Sequence, residues 1–196
     1  MGFSVGQYTD LRPTLWHLTH RQNLNLIAKE RVLKPAALLT SANLDRPRRA
    51  RSIIPGMPVL RDQKPLCEKC IALQGGLSFA DWLREMNRRV FFWPGRPDRP
   101  AAGLGAIKLY SNSDILIRLP FLEVVKDHVP FFSRCNAGAT RMQHGKPVPR
   151  GSSTFVQALE ADFPPSKVVE VTFVQPVKVP LGAEWAPSLS GPWKIL

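Results

Sequence analysis

Residues 15–27 read Leu15-Trp16-His17-Leu18-Thr19-His20-Arg21-Gln22-Asn23-Leu24-Asn25-Leu26-Ile27, and this stretch decides how the chain folds. Its first residues are mostly strand formers, whereas Leu24 and Ile27 recur at helical spacing. The hydrophobic period therefore changes from two to about 3.6 residues near His20. A strand-to-helix junction of this kind exposes backbone N–H groups, which can receive anionic or polar groups of a ligand.

Three polar side chains are predicted to meet at this junction. His17 and Thr19 alternate onto one side of the strand, and Asn23 lies at the start of the helix. A binding site is one interpretation of this pattern. The other is structural, in which His17 satisfies a hydrogen bond in the core and Thr19 or Asn23 caps the helix.

Length and composition indicate a single domain spanning residues 1–196. Hydrophobic residues make up 44% of the chain, which is enough for a core, and no apolar run is long enough to span a membrane. The first residues lack the basic and apolar parts of a signal peptide. The three cysteines are an odd number, which argues against a disulfide framework. We therefore expect a soluble, monomeric, cytoplasmic protein with no membrane association.

The net charge of +12 favours contact with polyanions such as nucleic acid. Basic residues form two clusters, Arg46, Arg48, Arg49 and Arg51 in the first and Arg84, Arg88, Arg89, Arg96 and Arg99 in the second. The first lies in residues 40–58, a polar segment that prolines interrupt and that we expect to be a mobile loop over a binding face. The candidates for nucleic-acid contact are Arg46, Arg48, Arg49, Arg88 and Arg89. The alternative is that both clusters are solvated surface.

Short strands and helices alternate along the rest of the chain, so the sequence predicts a mixed α+β domain. The expected helices are residues 67–73, 78–88, which a capping box opens, and 120–127. The expected strands are residues 90–93, ending at Pro94-Gly95, then 114–119, the edge strand 129–132, and 167–174. Two turns rich in small residues, 136–140 and 150–155, are candidates to line a cleft. The tail, residues 183–196, is expected to pack on the surface.

Common catalytic motifs do not occur in the sequence. It has no Gly-x-Ser-x-Gly elbow, no phosphate-binding glycine loop and no dinucleotide-binding glycine motif. The Cys67-x-x-Cys70 pair lacks the four ligands of a structural zinc site, and it carries Glu-Lys between its thiols, unlike the usual redox motif. We therefore predict no metal centre and assign no redox role.

Glu170 is the one carboxylate in an unusual setting, because it interrupts the apolar strand Val168-Val169-Glu170-Val171-Thr172-Phe173. A buried carboxylate is costly unless it is paired, so a cleft-facing Glu170 would indicate function. The alternative is an edge strand on which Glu170 simply faces water.

Two segments together resemble the DarT family of DNA ADP-ribosyltransferases. His17-Leu18-Thr19-His20-x-x-Asn23-Leu24-x-x-Ile27 is similar to the first strand and helix of that family, and Val168-Val169-Glu170-Val171 with Val179-Pro180 is similar to its strand bearing the catalytic glutamate. Val129-Pro130-Phe131-Phe132 also resembles a DarT element. Over residues 15–180 the chain is similar to an uncharacterised bacterial family. The segments that carry this second resemblance are 60–63, 87–93, 136–140 and 150–155.

The DarT resemblance implies an ADP-ribosyltransferase-like fold, with split mixed or antiparallel sheets forming an NAD cleft and with helical insertions. It implies NAD as a substrate, held by His17, Leu18, Thr19 and Asn23, and Glu170 as the catalytic carboxylate. The family also needs an arginine, for which Arg51 and Arg61 both qualify. The segment after Phe132 departs from DarT, which leaves the acceptor open between DNA, RNA and protein.

These expectations amount to an NAD-dependent ADP-ribosyltransferase that modifies nucleic acid, a toxin or anti-phage effector restrained by an antitoxin or immunity protein. Cleavage of the nicotinamide–ribose bond develops positive charge on the ribose, which a carboxylate stabilises. Two other functions fit the sequence. One is a non-enzymatic nucleic-acid-binding domain, and the other is an NAD-dependent RNA phosphotransferase-like enzyme. If the transferase is correct, His17 and Glu170 should lie on neighbouring strands and open into one pocket.

Overall fold

The architecture comes from a computed structural model that describes residues 2–40, 44–54, 56–100, 112–140 and 142–196. The strands are β1 Thr14–His20, β2 Val32–Leu33, β3 Ile71–Leu73, β4 Val90–Arg96, β5 Arg99–Pro100, β6 Asp114–Pro120, β7 Phe131–Ser133, β8 Val148–Arg150, β9 Glu170–Phe173, β10 Val177–Lys178, β11 Glu184–Ala186 and β12 Lys194–Ile195. The α-helices are α1 Val5–Leu11, α2 Leu24–Glu30, α3 Phe79–Asn87 and α4 Phe121–Val125.

One large antiparallel sheet forms the centre of the fold. Its strands follow the order β12-β11-β6-β1-β4-β9-β7, and β5 pairs with the end of β4. Two small sheets flank it, the antiparallel pair β2 and β10 and the parallel pair β3 and β8. The prediction of a mixed α+β domain is confirmed. No helix in the described part of the chain is long and apolar enough to cross a membrane.

The predicted change from strand to helix occurs where the sequence indicates it. β1 ends at His20, a short 3-10 turn follows over Arg21–Asn23, and α2 begins at Leu24. His20 rather than Thr19 or Asn23 provides the cap, because its Nδ1 accepts the backbone N–H of Gln22 at 3.2 Å. The junction is therefore a capped corner between a central strand and a surface helix.

Hydrophobic residues on both faces hold the large sheet in place. On one face the large core gathers side chains from all the central strands. Its members include Leu15, Phe92, Ile117, Val171 and Phe173. The opposite face carries two smaller clusters, one around Trp16 and Trp93 and one in which α3 contributes Trp82 and Leu83. Since both faces are covered, a polar side chain in a central strand is taken out of water and needs a partner.

Three local predictions differ from the structure. Residues 67–73 form a 3-10 turn followed by β3 instead of a helix, because β3 pairs with β8. β4 continues through Pro94 and Gly95, since Pro94 needs no N–H where it faces Leu15. The tail does more than pack on the surface, because β11 and β12 extend the sheet beside β6.

Other local predictions are confirmed with small shifts at their ends. The capping box at Ser78 opens α3, β6 is almost fully buried, and β7 is the edge strand of the sheet. Within the predicted loop 40–58, the described residues contain no helix and only one bridge, between Ser52 and Leu60. Residues 41–43 and 55 of this loop lie outside the described residues.

Candidate functional site

The large sheet opens between β1 and β4. β6 pairs with β1 over its whole length, from Thr14 to His20. On the other edge, β4 pairs with β1 only over Thr14, Leu15 and Trp16. The two strands then part, and β4 continues its pairing with β9 instead. The second half of β1 therefore has a free edge where the sheet splits.

The register shows which backbone groups face this split. Leu15 lies opposite Pro94, which has no N–H, so this is a pair without hydrogen bonds. Because hydrogen-bonded and non-hydrogen-bonded pairs alternate, Trp16 and Leu18 direct their N–H and C=O groups towards β4. Trp16 pairs with Trp93 there, whereas Leu18 lies beyond the last residue of β1 that pairs with β4. The N–H and C=O of Leu18 thus face the split, where no described strand pairs with them.

His17 occupies the start of the split. Its ring Nδ1 lies 2.9 Å from the carbonyl oxygen of Phe91, and a carbonyl only accepts, so Nδ1 carries the proton. Burial, together with a smaller effect of the Arg61 charge, lowers the pKa of His17 to about 4, against the raising effect of the hydrogen bond to Phe91. The ring is therefore neutral near pH 7, and its Nε2 is a hydrogen-bond acceptor.

Thr19 and Asn23 lie beside His17, as predicted. The Asn23 amide donates to Thr19 Oγ1 at 3.0 Å and to the Val59 carbonyl at 2.9 Å, and it accepts the Val59 N–H at 2.8 Å. Asn23 thus ties residue 59 of the loop connection to β1. The three polar residues line a cavity of about 50 Å³ together with apolar residues of α2 and β2. That volume suits a few water molecules or one small polar group.

The two candidate arginines differ in their ion-pair partners. Arg51 Nη2 lies 2.6 Å from Asp114 Oδ2, and Asp114 is fully buried, so Arg51 already neutralises a carboxylate. The side chain of Arg61 makes no ion pair within 4.0 Å among the described residues, and its charge lowers the pKa of His17. Arg61 is therefore the arginine that remains available next to His17.

Glu170 lies inside the sheet, because β9 runs between β4 and β7. It is only 4% exposed, so the alternative of an edge-strand charge facing water is wrong. Its Oε2 accepts the Ala137 N–H at 2.8 Å. Burial raises the pKa of Glu170 to about 7, against the lowering effects of that hydrogen bond and of the Arg150 charge. Glu170 therefore changes its protonation state near neutral pH.

His17 and Glu170 do not open into one pocket, so that prediction is wrong. β4 lies between their strands. Val171 and Leu15 both belong to the large core, and side chains alternate along a strand. Glu170, next to Val171, therefore points away from the large core, whereas His17, two residues after Leu15, points towards it. The prediction missed this because sequence order alone fixes neither strand order nor register.

The arginines predicted to contact nucleic acid differ in their exposure and in their partners. Arg89 is 7% exposed, pairs with Glu85 and lies over the rings of Phe131 and Phe155, so it is a core residue and the prediction of nucleic-acid contact is wrong. Three others make contacts with neighbouring residues, although Arg49 and Arg88 are exposed. Arg48 donates to Asn87 at 2.8 Å, Arg49 to the Leu66 carbonyl at 3.2 Å, and Arg88 pairs with Glu85 at 2.6 Å. Arg46 is exposed and makes no ion pair with a described residue.

Two residues near Glu170 were not identified as site residues from the sequence. Ala137 supplies the backbone N–H that binds the carboxylate, and Arg150 supplies the nearest positive charge, 7% exposed and bonded to the Asn136 carbonyl at 3.3 Å. Both lie in the small-residue turns 136–140 and 150–155. The signal was therefore present in those segments, but nothing in the sequence linked them to β9. Among the described residues, no group of three or more His, Cys, Asp or Glu is arranged to hold a metal ion.

Residues 13–181 match a protein family described as a family of unknown function (DUF7002). The match covers most of the chain, so the protein belongs to this family. No curated protein and no solved structure matches the chain.

Proposed function

We propose that the protein is an NAD-dependent ADP-ribosyltransferase acting on nucleic acid. The observation that carries the proposal is the free edge of β1 at Leu18. A nicotinamide carboxamide has one C=O and one NH2 group, which complement the N–H and C=O of one strand residue. Split strands with such an edge are what the sequence resemblance to ADP-ribosyltransferases leads us to expect.

Neighbouring groups suit the rest of the dinucleotide. The neutral ring of His17 offers Nε2 as an acceptor for a ribose hydroxyl. Arg61 is available for a pyrophosphate oxygen, to which a guanidinium binds strongly through paired N–H groups. The present cavity of about 50 Å³ is too small for a dinucleotide. Binding therefore requires Val59 and Leu60 to move away from β1, which breaks the contacts of Asn23 with Val59.

Glu170 is the proposed catalytic carboxylate. Glu170 lies one strand beyond the split and on the face opposite His17, so this role requires β4 to shift between them when the ligand binds. The ionised carboxylate would stabilise positive charge on the ribose and accept the proton of the attacking group. A pKa of about 7 suits proton transfer at neutral pH.

A second candidate is a binding domain without catalysis. The observation that favours it is the orientation of His17 and Glu170 towards opposite faces of the sheet, together with the hydrogen bond that already occupies Glu170. In that case the split would bind a nucleotide and the net charge of +12 would hold nucleic acid, with no bond broken.

One experiment separates the two. The protein is incubated with NAD labelled in the adenylate part and with separate pools of DNA, RNA and protein, and NAD affinity is measured independently by calorimetry. Glu170→Gln keeps the shape of the side chain and removes its charge, so we expect about a 10²- to 10³-fold loss of transfer with NAD affinity retained. Glu160→Gln, at an exposed site, is the matched control and should behave as the unchanged protein.

The outcomes are distinct. NAD binding without transfer to any pool would favour the binding domain, and the absence of NAD binding would overturn both uses of the split. Transfer at an unchanged rate in Glu170→Gln would remove Glu170 from the mechanism. If the protein is a toxin, cells should tolerate expression of Glu170→Gln and not of Glu160→Gln.

A further inference from the structure

Cys67 and Cys70 bring their sulfur atoms into direct contact. The two residues begin and end the turn before β3, and their Sγ atoms lie 2.7 Å apart, with Cys70 donating to Cys67. Both side chains are partly exposed. A small molecule can therefore reach two thiols that already touch each other. This feature is independent of the split between β1 and β4 and of the function proposed for it.

The backbone around the pair is held on both sides. The Cys67 N–H donates to Thr140 Oγ1 at 2.9 Å, and the Thr140 hydroxyl donates back to the Cys67 carbonyl at 3.1 Å. The Cys70 N–H donates to the same carbonyl at 3.1 Å. Fixing both residues keeps the sulfur atoms together, which favours an intramolecular reaction over one with a separate thiol.

We propose that Cys67 and Cys70 form a thiol–disulfide exchange site for low-molecular-weight disulfides of the glutathione class. The Cys67 thiolate attacks one sulfur of the small disulfide and releases one small thiol. The Cys70 thiolate then attacks the Cys67 sulfur, forms the Cys67–Cys70 bond and releases the second small thiol. Two protein thiols are oxidised, and one small disulfide is reduced to two thiols that take up the two protons.

The surroundings assign the order of attack. The hydrogen bond from Cys70 and the charge of Arg49 lower the pKa of Cys67, whereas the same hydrogen bond raises the pKa of Cys70. Because the thiolate is the nucleophile, Cys67 attacks first and Cys70 resolves the mixed disulfide. Cys135 is the internal comparison, since burial raises its pKa and Ser133 is the partner of its sulfur, at 3.3 Å.

The sequence allows a direct test on the unchanged protein. Trypsin cuts after Lys69, between the two cysteines, and so separates peptide 62–69 from peptide 70–84. After incubation with oxidised glutathione and blocking of free thiols, we expect these two peptides to be joined and two hydrogen atoms lighter in total. The peptide that begins at Cys135 should carry the blocking group instead. Separate, blocked peptides 62–69 and 70–84 would overturn the proposal.

The order of attack has its own test. In Cys70→Ser, glutathione should remain attached to Cys67 because no resolving thiol is present. In Cys67→Ser, the serine hydroxyl can still accept the Cys70 hydrogen bond that raises the pKa of Cys70, so Cys70 should react at least about tenfold more slowly than Cys67 does in Cys70→Ser. Cys135→Ser is the matched control and should form the Cys67–Cys70 bond at the normal rate. Equal rates of modification in the first two variants, or preferential modification of Cys135, would contradict the site.

Discussion

His17 and Glu170 are buried ionisable residues of the same sheet, and comparing them shows how burial acts on opposite charges. Burial lowers the pKa of His17 to about 4 and raises the pKa of Glu170 to about 7, because in each case it favours the neutral form. The surroundings then differ. Next to His17 the sheet is open and leaves acceptors and donors free, whereas Ala137 already binds Glu170. The His17 side is therefore suited to receive a ligand, and the Glu170 side is closed until something displaces its partner.

Among the variants that test this difference, those of the two arginines near His17 have the largest expected effect on the free energy of unfolding. Arg51→Ala removes the ion pair with the fully buried Asp114, and breaking a buried pair costs about 3–5 kcal/mol of unfolding free energy. Arg61→Ala removes no ion pair with a described residue, so we expect little loss of stability and a weaker affinity for NAD. Urea denaturation and calorimetry measure the two quantities.

Arg118→Ala is the control for stability, since its ion pair with Glu184 at 2.7 Å joins β6 to β11, on the side of β1 away from the split. It should lower stability without changing NAD affinity. If Arg51→Ala lowers NAD affinity in folded protein while Arg61→Ala does not, the assignment of the two arginines must be exchanged.

The opposite pKa shifts predict opposite dependences of stability on pH. The folded state binds more protons at Glu170 than the unfolded state between pH 4.5 and about 7, so that stability falls as pH rises through this window. The full effect is about 3 kcal/mol. At His17 the folded state binds fewer protons between about pH 4 and 6.5, so that stability rises with pH there.

The two contributions oppose each other between pH 4.5 and 6.5. We expect urea denaturation of Glu170→Gln to show a stability that rises more steeply with pH across this range than in the unchanged protein. His17→Gln should instead show a steeper fall between pH 4.5 and 6.5, because the opposing contribution of His17 is removed. A Glu170→Gln curve parallel to that of the unchanged protein would mean that Glu170 titrates in the same range whether folded or unfolded.

The same comparison explains what the sequence was able to predict. β1, α2, α3 and β6 follow from hydrophobic period and capping residues, which are local properties, and all four occur. The proximity of His17, Thr19 and Asn23 also follows, because these residues are close in sequence. The relation between His17 and Glu170 does not, since it depends on strand order and on the register of β4 between them. The positions of Ala137 and Arg150 next to Glu170 could not be predicted for the same reason, because they depend on how distant segments pack against β9.

A glycine variant tests the closed half of the β1–β4 pairing. A Cβ atom at Gly95 would lie 2.4 Å from the Arg99 carbonyl oxygen and 2.6 Å from Pro100 Cα, both backbone atoms that cannot move aside cheaply. We expect Gly95→Ala to cost about 1–3 kcal/mol in thermal or urea unfolding. Gly6→Ala, where the nearest heavy atom is 3.7 Å away within α1, should be neutral or slightly stabilising. Equal stability of the two variants would mean that the hairpin at Gly95 is not formed in solution.

Arg46 gives the smallest expected effect and tests whether the loop beside the open side of the sheet contacts nucleic acid. A side chain that neutralises one phosphate contributes about one unit to the slope of log affinity against log salt concentration. Arg46 is exposed and forms no ion pair with a described residue, so Arg46→Ala should lower this slope by about one unit in anisotropy titrations with single-stranded DNA. Arg88 is equally accessible but pairs with Glu85, so Arg88→Ala should lower it by less. A slope unchanged in Arg46→Ala would place the contact with polyanions elsewhere on the surface and leave the loop with a role at the split alone.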